Sequence, residues 1–259
     1  MKGANYIQKI YKDESITLIQ GDCLAVMDEL IKQGVKVDCI ITDPPYGVTA
    51  CSWDSIIPLE DMWKCINSIS HDKTPIVLFG NEPFSSTLRC SNLKQYKYKW
   101  TWIKNQATNH LHAKHMPMRK TEDINIFFKK SSWYNPQKSE GHIPTNSAKG
   151  CSNGVIYHGT NIRNYEGGDT TRMPVDILYF NCVDNYSKVH PNEKPVDLLE
   201  YLISTYTNEW DLILDFTCGS GSTLIAAKNT NRKCIGIELD TKYCEIAKNR
   251  IENHTICSA

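Results

Sequence analysis

The sequence of 259 residues has no apolar run that approaches a membrane span, which as a helix takes about 20 consecutive apolar residues. Residues 1–15, MKGANYIQKIYKDES, contain no apolar signal region, so secretion is not expected. No C-x-x-C pair occurs among the 11 cysteines, which are scattered singly and odd in number. That excludes the usual zinc spacing and a paired disulfide framework, and it predicts reduced thiols in a cytoplasmic setting. Net charge is absent too, since 29 Lys and Arg balance 29 Asp and Glu. A global field that would announce a nucleic-acid partner is therefore missing. There is no internal repeat. What remains is a chain that is 41% hydrophobic, ordinary for a globular core, and long enough for one domain with an inserted lobe or two small domains.

The charge is nevertheless unevenly spread. Lys94, Lys97, Lys99, Lys104, Lys114, Arg119, Lys120, Lys129 and Lys130 are opposed within their stretch only by Glu122 and Asp123. A local basic band suits a polyanion, because phosphate contacts are short-range and counterion release is local; the competing reading is a solvated face with lysine stems lying along apolar surface. Lys104, Asn105, Lys114, Arg119 and Lys120 are the candidate DNA contacts. His110, His112 and His115 share this stretch, but without carboxylates beside them no metal site is expected. Trp53, Trp63, Trp100 and Trp102 are expected in the core rather than as base-stacking platforms.

Periodicity predicts alternating strands and helices at both ends of the chain. Residues 15–20, 37–42 and 75–79 read as strands, 96–103 as a half-exposed strand, and 124–128 as another. Helices are predicted over 24–32 and from Pro58, where Leu59, Met62, Trp63 and Ile66 share a face. From 131 to 189 the pattern fades into Asn, Ser, Gly and Thr and predicts an irregular insertion or small lobe rather than more sheet. After Pro195 a helix, the strand 212–215, the helix 222–229, the strand 234–238 and the helix 243–251 follow. Such alternation predicts a parallel, doubly wound sheet. The expected division is 1–130 and 190–259 as two parts of one catalytic domain, with 131–189 inserted between them.

Two loops carry chemistry. The strand ending at Asp215 runs into Phe216-Thr217-Cys218-Gly219-Ser220-Gly221 and then a helix. Ligands of open α/β sheets bind at that carboxyl edge, where glycines let them approach the backbone. The third glycine of the dinucleotide fingerprint is absent, with Leu224 in its place, which weakens a nicotinamide reading. Glu238, at the end of the next strand, is placed to accept hydrogen bonds from ribose hydroxyls. The other loop, Asp43-Pro44-Pro45-Tyr46, follows a buried strand directly. An exocyclic base amine is a poor nucleophile, because its lone pair is delocalised into the ring. Two acceptors, the Asp43 carboxylate and the Pro44 carbonyl, would each take one amine hydrogen and localise that pair. Consecutive prolines hold such a backbone ready, and the Tyr46 ring can stack on a base taken out of the duplex.

Together these motifs resemble the β-group of S-adenosylmethionine-dependent DNA amino-methyltransferases. Gln20-Gly21-Asp22-Cys23-Leu24 is similar to that family's opening segment, VDCIITDPPYG at 37–47 to its catalytic motif, and LDFTCGSGST at 214–223 to its cofactor loop. His190-Pro191-Asn192-Glu193-Lys194-Pro195 resembles its H-P-x-x-K-P stretch, and residues 243–251 its last helix. The resemblance implies a Rossmann-like methyltransferase fold, circularly permuted, with a seven-stranded, mostly parallel sheet and 131–189 as target-recognition region. It implies S-adenosyl-L-methionine held by Asp22, Cys23, Asp43, His190, Lys194, Pro195, Asp215, Phe216, Thr217, Cys218, Gly219, Ser220, Gly221, Ser222, Thr223, Glu238 and Leu239. Catalysis falls to Asp43, Pro44, Pro45 and Tyr46.

In that family an initial Asp leans toward adenine N6 and Ser is usual for cytosine N4. The expected reaction is therefore adenine-N6 methylation of DNA with base flipping, and cytosine N4 is the alternative. Competing readings are an inactive nucleic-acid-binding subunit, a glutamine methyltransferase with the related Asn-Pro-Pro-Tyr motif, and a nicotinamide oxidoreductase. Expected partners are DNA and a second copy of the chain, with no membrane, in a bacterial, archaeal or phage-encoded setting.

Overall fold

The computed structural model describes residues 7–47, 55–153, 160–184, 188–190 and 192–254. Trp53 and Pro191 lie outside the described residues. The chain divides into a larger unit, Met1–Asn135 with Asp176–Ala259, and a smaller unit, Pro136–Val175.

The larger unit begins with the antiparallel pair β1 (Gln8–Lys12) and β2 (Ile16–Gln20), followed by α1 (Cys23–Lys32), β3 (Cys39–Thr42), α2 (Leu59–Ile69), β4 (Ile76–Gly80) and α3 (Phe84–Ser91). A long hairpin of β5 (Tyr96–Thr108) and β6 (Arg119–Phe127) comes next. The smaller unit holds a two-stranded antiparallel sheet, β7 (Ala148–Asn153) with β8 (Thr160–Tyr165). The chain then returns to the larger unit through β9 (Ile177–Phe180), α4 (Val196–Tyr206), β10 (Leu212–Asp215), α5 (Ser222–Asn229), β11 (Lys233–Glu238) and α6 (Thr241–Glu252).

One sheet runs through the larger unit in the order β1-β2-β11-β10-β3-β4-β6-β5-β9. Its middle seven strands form the expected Rossmann-like methyltransferase sheet, with β2, β11, β10, β3 and β4 parallel and β6 reversed between β4 and β5. The permutation is visible in the connectivity. The last two strands in sequence, β10 and β11, fill the centre of the sheet between β2 and β3, which come early.

Alternation along the strands builds the two cores. Cys39 and Ile41, Val77 and Phe79, Ile213 and Cys234 face α4, α5 and α6. Their neighbours Ile40, Ile76, Leu78, Leu214, Ile235 and Ile237 face α1, α2 and α3. Side chains alternate between faces with period two, so a strand buried on both sides reads as a continuous apolar run. Trp63, Trp100 and Trp102 are buried as expected, and each indole N–H finds an acceptor: Ser91 Oγ, the Tyr206 hydroxyl and the Phe180 carbonyl. Cys23, Cys39, Cys65, Cys90, Cys182, Cys218, Cys234 and Cys244 are free thiols, and no metal-binding cluster occurs among the described residues.

The stretch 131–189 departs from the irregular insertion predicted for it. It contains β9, which adds a parallel edge strand beside β5, and the β7–β8 pair. β1 extends the opposite edge. Edge strands bury only part of each side chain, so their apolar signal is diluted: β9 reads Ile-Leu-Tyr-Phe with only Leu178 buried. Helix α3 was not predicted either, because its sequence FSSTLRCS is poor in helix formers and is held by Phe84, Ser85 and Leu88 packing inward.

Candidate active site

Every residue of the DPPY loop descends from β3, whose four residues are all buried. Thr42, its last residue, donates from Oγ1 to Asp215 Oδ1 at 2.6 Å and lies 2.7 Å from Thr217 Oγ1. Thr217 Oγ1 in turn donates to the Asp43 carbonyl at 3.1 Å. Two threonine hydroxyls therefore stitch the DPPY loop to the glycine loop across adjacent strands.

The Asp43 carboxylate sits in a charge cluster that the sequence did not suggest. Its Oδ1 accepts from the Tyr46 hydroxyl and its Oδ2 pairs with Lys194 Nζ. Glu122, on β6, lies behind them with its side chain 3% exposed. Glu122 Oε1 accepts from the Tyr46 hydroxyl at 3.0 Å and from Lys194 at 3.1 Å, and Oε2 pairs with Lys104 at 2.6 Å. Two carboxylates and two ammonium groups thus balance in a mostly desolvated cluster. Phe79 lies under Lys194 and Trp102 under Lys104, at 5.1 and 4.9 Å from ring centre to Nζ.

This environment drives the two carboxyls apart. Burial would raise Glu122, but Lys194 and Lys104 hold it at about 2. Burial pushes Asp43 above the usual aspartate value and the charge of Glu122 adds to it, while Lys194 pulls the other way. Burial alone would lower Lys194; Asp43 and Glu122 outweigh it and raise the ammonium. Tyr46 has one ring face stacked on Phe84 at 5.1 Å and 26°, which fixes its plane.

The glycine loop lies beside this cluster. Asp215 is buried at the end of β10, where burial raises its carboxyl to about 6 against the bonds from Thr223, Thr42 and the Thr217 N–H. Gly219 and Gly221 take the left-handed region at φ of 52° and 83°. Glu238 accepts from the Gly219 N–H and the Asp240 N–H, both at 2.8 Å. Cys218 is buried, and its amide bonds the Ile237 carbonyl, so the loop turns over β11. Asp22 caps α1, accepting from the Ala25 N–H at 3.0 Å, with Cys23 next to it. His190 packs edge-on against Tyr243 at 4.2 Å, and burial with the Lys194 charge lowers its imidazole to about 4.

A cleft of about 320 Å³ opens over these residues. It is lined by most of the residues expected to hold the cofactor and by all four DPPY residues; Pro195 and Gly221 lie behind the lining as the N-caps of α4 and α5. Several lining or supporting residues were not foreseen. Thr42, Phe79 and Tyr243 line the cleft, and Glu193 pairs with Arg250 at 2.9 Å, tying the segment before α4 to α6. Arg250 also bonds the Ser220 carbonyl at 2.9 Å. A polar residue amid the buried end of β6 was the available sign of Glu122. Of the expected DNA contacts, Lys104 is committed to Glu122 and Asn105 Oδ1 accepts from the Cys182 N–H, while Lys114, Arg119 and Lys120 lie on the β5–β6 hairpin.

Comparison with known proteins agrees in kind. The profile of a DNA methylase family, comprising N6 and N4 enzymes, matches residues 37–249. The type II methyltransferase M1.MboII of Moraxella bovis is 25% identical over 245 residues, 86% of this chain and 92% of that protein. The DNA adenine methyltransferase YhdJ of Escherichia coli (strain K12) is 25% identical over 263 residues, 93% of this chain and 84% of that protein. The crystal structure of an M1.HpyAVI–SAM complex superposes with a TM-score of 0.62 at 25% identity, covering 91% of this chain and 99% of the other.

Proposed function

This chain belongs to the N6/N4 DNA methylase family, and from that premise we propose that it methylates the exocyclic N6 of adenine in DNA, using S-adenosylmethionine and a base taken out of the duplex. The observation that carries the reading is the stitching of the Asp43 loop to the glycine loop through Thr42 and Thr217, within one cleft. A methyl donor and an amine acceptor need such proximity, because positioning for in-line transfer supplies much of the rate.

The residues present suit the cofactor. Glu238 presents a carboxylate at the carboxyl end of β11, apolar Phe216 and Leu239 line the cleft, and left-handed Gly219 brings backbone close to it. S-adenosylmethionine supplies an electrophilic methyl group on its sulfonium. Asp43 then accepts one amine hydrogen and the Pro44 carbonyl the other, while Tyr46, braced by Phe84, bounds the base. Lys194 opposes the rise that burial imposes on the Asp43 carboxyl. Residues 131–189, with the Pro136–Val175 unit inside them, are assigned to target recognition. That segment is short for the task, and a second copy of the chain in a homodimer would extend it.

Two observations favour adenine over cytosine: Asp43 stands first in the tetrapeptide, and the similar YhdJ is named a DNA adenine methyltransferase. The relatives named above are bacterial, which fits a cytoplasmic target.

The test is transfer of radiolabelled methyl to unmethylated DNA, followed by digestion to nucleosides. Label is expected in N6-methyl-2′-deoxyadenosine, with Asp43→Ala slower by about 100-fold or more, the scale of losing one preorganised polar contact in an active site. Label in N4-methyl-2′-deoxycytidine would overturn the choice of adenine alone. Absence of transfer to any DNA by the native protein would overturn the enzyme.

A further inference from the structure

The β5–β6 hairpin runs well past the sheet. Because β6 is antiparallel to both β4 and β5, β5 runs in the direction of β3 and β4. The turn after Thr108 therefore leaves the sheet at the carboxyl edge, the edge on which Asp43 follows β3. Three strand spacings of about 4.8 Å place β5 roughly 14 Å from β3.

The turn is built, not slack. The register slips between Ile103↔Thr121 and Thr108↔Arg119, so residues 104–107 oppose Lys120 alone. Asn109 takes the left-handed region at φ 72°, and a single 3-10 turn, His110–His112, follows. Backbone bonds from His112 N to Asn109 O, Ala113 N to His110 O and Met116 N to His112 O close the loop on itself. This folded turn holds out Leu111, which is 95% exposed, with Met116 and Met118 half exposed behind it. Arg119 at its base reaches the Glu82 carbonyl at 3.4 Å.

Apolar residues gathered on one ordered, exposed turn and rimmed by polar ones mark a surface that meets a partner. The surrounding charge states what that is. From Asn105 to Thr121 the sequence holds Lys114, Arg119 and Lys120, three histidines and no carboxylate. Among the described residues no acidic side chain pairs with Lys114, Arg119 or Lys120. A basic collar around an apolar point fits duplex DNA, where cations meet phosphates and an apolar wedge enters between base steps.

We infer that the β5–β6 turn is a DNA-insertion element. Leu111 enters the base stack beside the target and occupies the space its extrusion leaves, while Lys114 and Lys120 hold the flanking phosphates. The inference rests on the proposed DNA methyltransferase function and adds to it a device for opening the duplex, separate from the 131–189 segment.

The experiment compares the native protein with Leu111→Ala, Leu111→Met and a Lys114→Ala/Lys120→Ala double variant, all on the full chain. Leu111 is exposed, and unchanged thermal unfolding verifies that each variant folds. The readouts are single-turnover methyl transfer to saturating unmethylated genomic duplex, and the salt dependence of binding to a random-sequence 30-bp duplex. Leu111→Ala is expected to slow duplex transfer about tenfold or more, since unstacking a base step without the wedge is unfavourable by an amount of that order. Leu111→Met, still long and apolar, is expected to recover most of the rate. The double variant is expected to flatten the slope of log affinity against log salt by roughly 2, one for each lost phosphate contact. Native transfer rates in Leu111→Ala overturn the insertion, even if the lysine variant flattens the slope. Native protein that neither binds nor methylates DNA overturns the methyltransferase reading as well, so the two failures are distinct.

Discussion

At the scale of single residues, the site is organised by one buried balance of charge. Asp43, Glu122, Lys104 and Lys194 are two anions and two cations, and the side chains other than Asp43 are between 3% and 12% exposed. Deleting one member of such a set leaves an unpaired buried charge, at a cost of about 3–5 kcal/mol. Lys194 is the informative deletion because, of the two ammonium groups, it is the one that touches both carboxylates. Asp43 lies above the usual aspartate range through burial, and Lys194 is the charge that opposes that rise. Ionised Asp43 is the form that accepts an amine hydrogen. Removing the cation makes ionisation harder still, so the acid limb of kcat/KM in Lys194→Met is expected at higher pH than in the native enzyme, together with a lower Tm. A pH–rate profile on both proteins checks this, and an unmoved acid limb would show that Lys194 does not set the charge of Asp43. Glu122 was passed over as a mere counter-charge to the basic band. Its role depends on β6 being reversed between β4 and β5, which no local pattern states.

At the scale of elements, the missing third glycine of the cofactor loop finds its explanation one strand away. In dinucleotide folds that glycine allows close packing of helix on strand. Here Leu224 occupies the position, fully buried, and the space is provided from the opposite side by Gly236 in β11. A Cβ added at Gly236 would stand 2.9 Å from Cys218 Sγ and 2.9 Å from both methyls of Leu224. Gly236→Ala is therefore expected to push the loop and α5 off the sheet. The predicted cost is about 1–3 kcal/mol, the scale of overpacking a tight core, with weakened S-adenosylmethionine binding. Thermal unfolding and titration calorimetry measure both, and native values of each would mean that Leu224 can move aside freely. The buried strands and the amphipathic helices were legible in sequence, because continuous apolar runs and 3.6-residue spacing are local signals. Edge strands β1 and β9 and the polar helix α3 were not, since the edge strands bury few of their side chains and α3 is short and poor in helix formers. Gly236 belongs with these: its meaning lies in what packs against it.

At the scale of the whole molecule, catalysis and the smaller unit are separable by burial. Every buried hydrophobic residue of the described core lies outside Pro136–Val175, as does each residue that lines the cleft. The sheet, both apolar cores and the charge cluster belong to the larger unit, which the chain leaves at Asn135 and re-enters at Asp176. Both junctions are anchored there, Asn135 N to the Thr205 carbonyl at 2.8 Å and the Asp176 carbonyl by Thr101 N at 2.8 Å. Hydrophobic burial dominates folding, so a segment whose described residues contribute none of it to the larger core is expected to be dispensable for that core. Replacing residues 136–175 with a flexible Gly/Ser linker is expected to preserve cooperative unfolding and to leave S-adenosylmethionine affinity within about threefold of native, a change of less than 1 kcal/mol. The same excision should abolish site preference, because most of the residues assigned to target recognition are gone while Asp43 and the glycine loop remain. Calorimetry with the cofactor and sequencing of methylated DNA read the two effects apart. Loss of cofactor binding in a folded variant would show that the smaller unit shapes the cleft; retained site preference would move recognition onto the larger unit, leaving the β5–β6 hairpin as the element to examine for it.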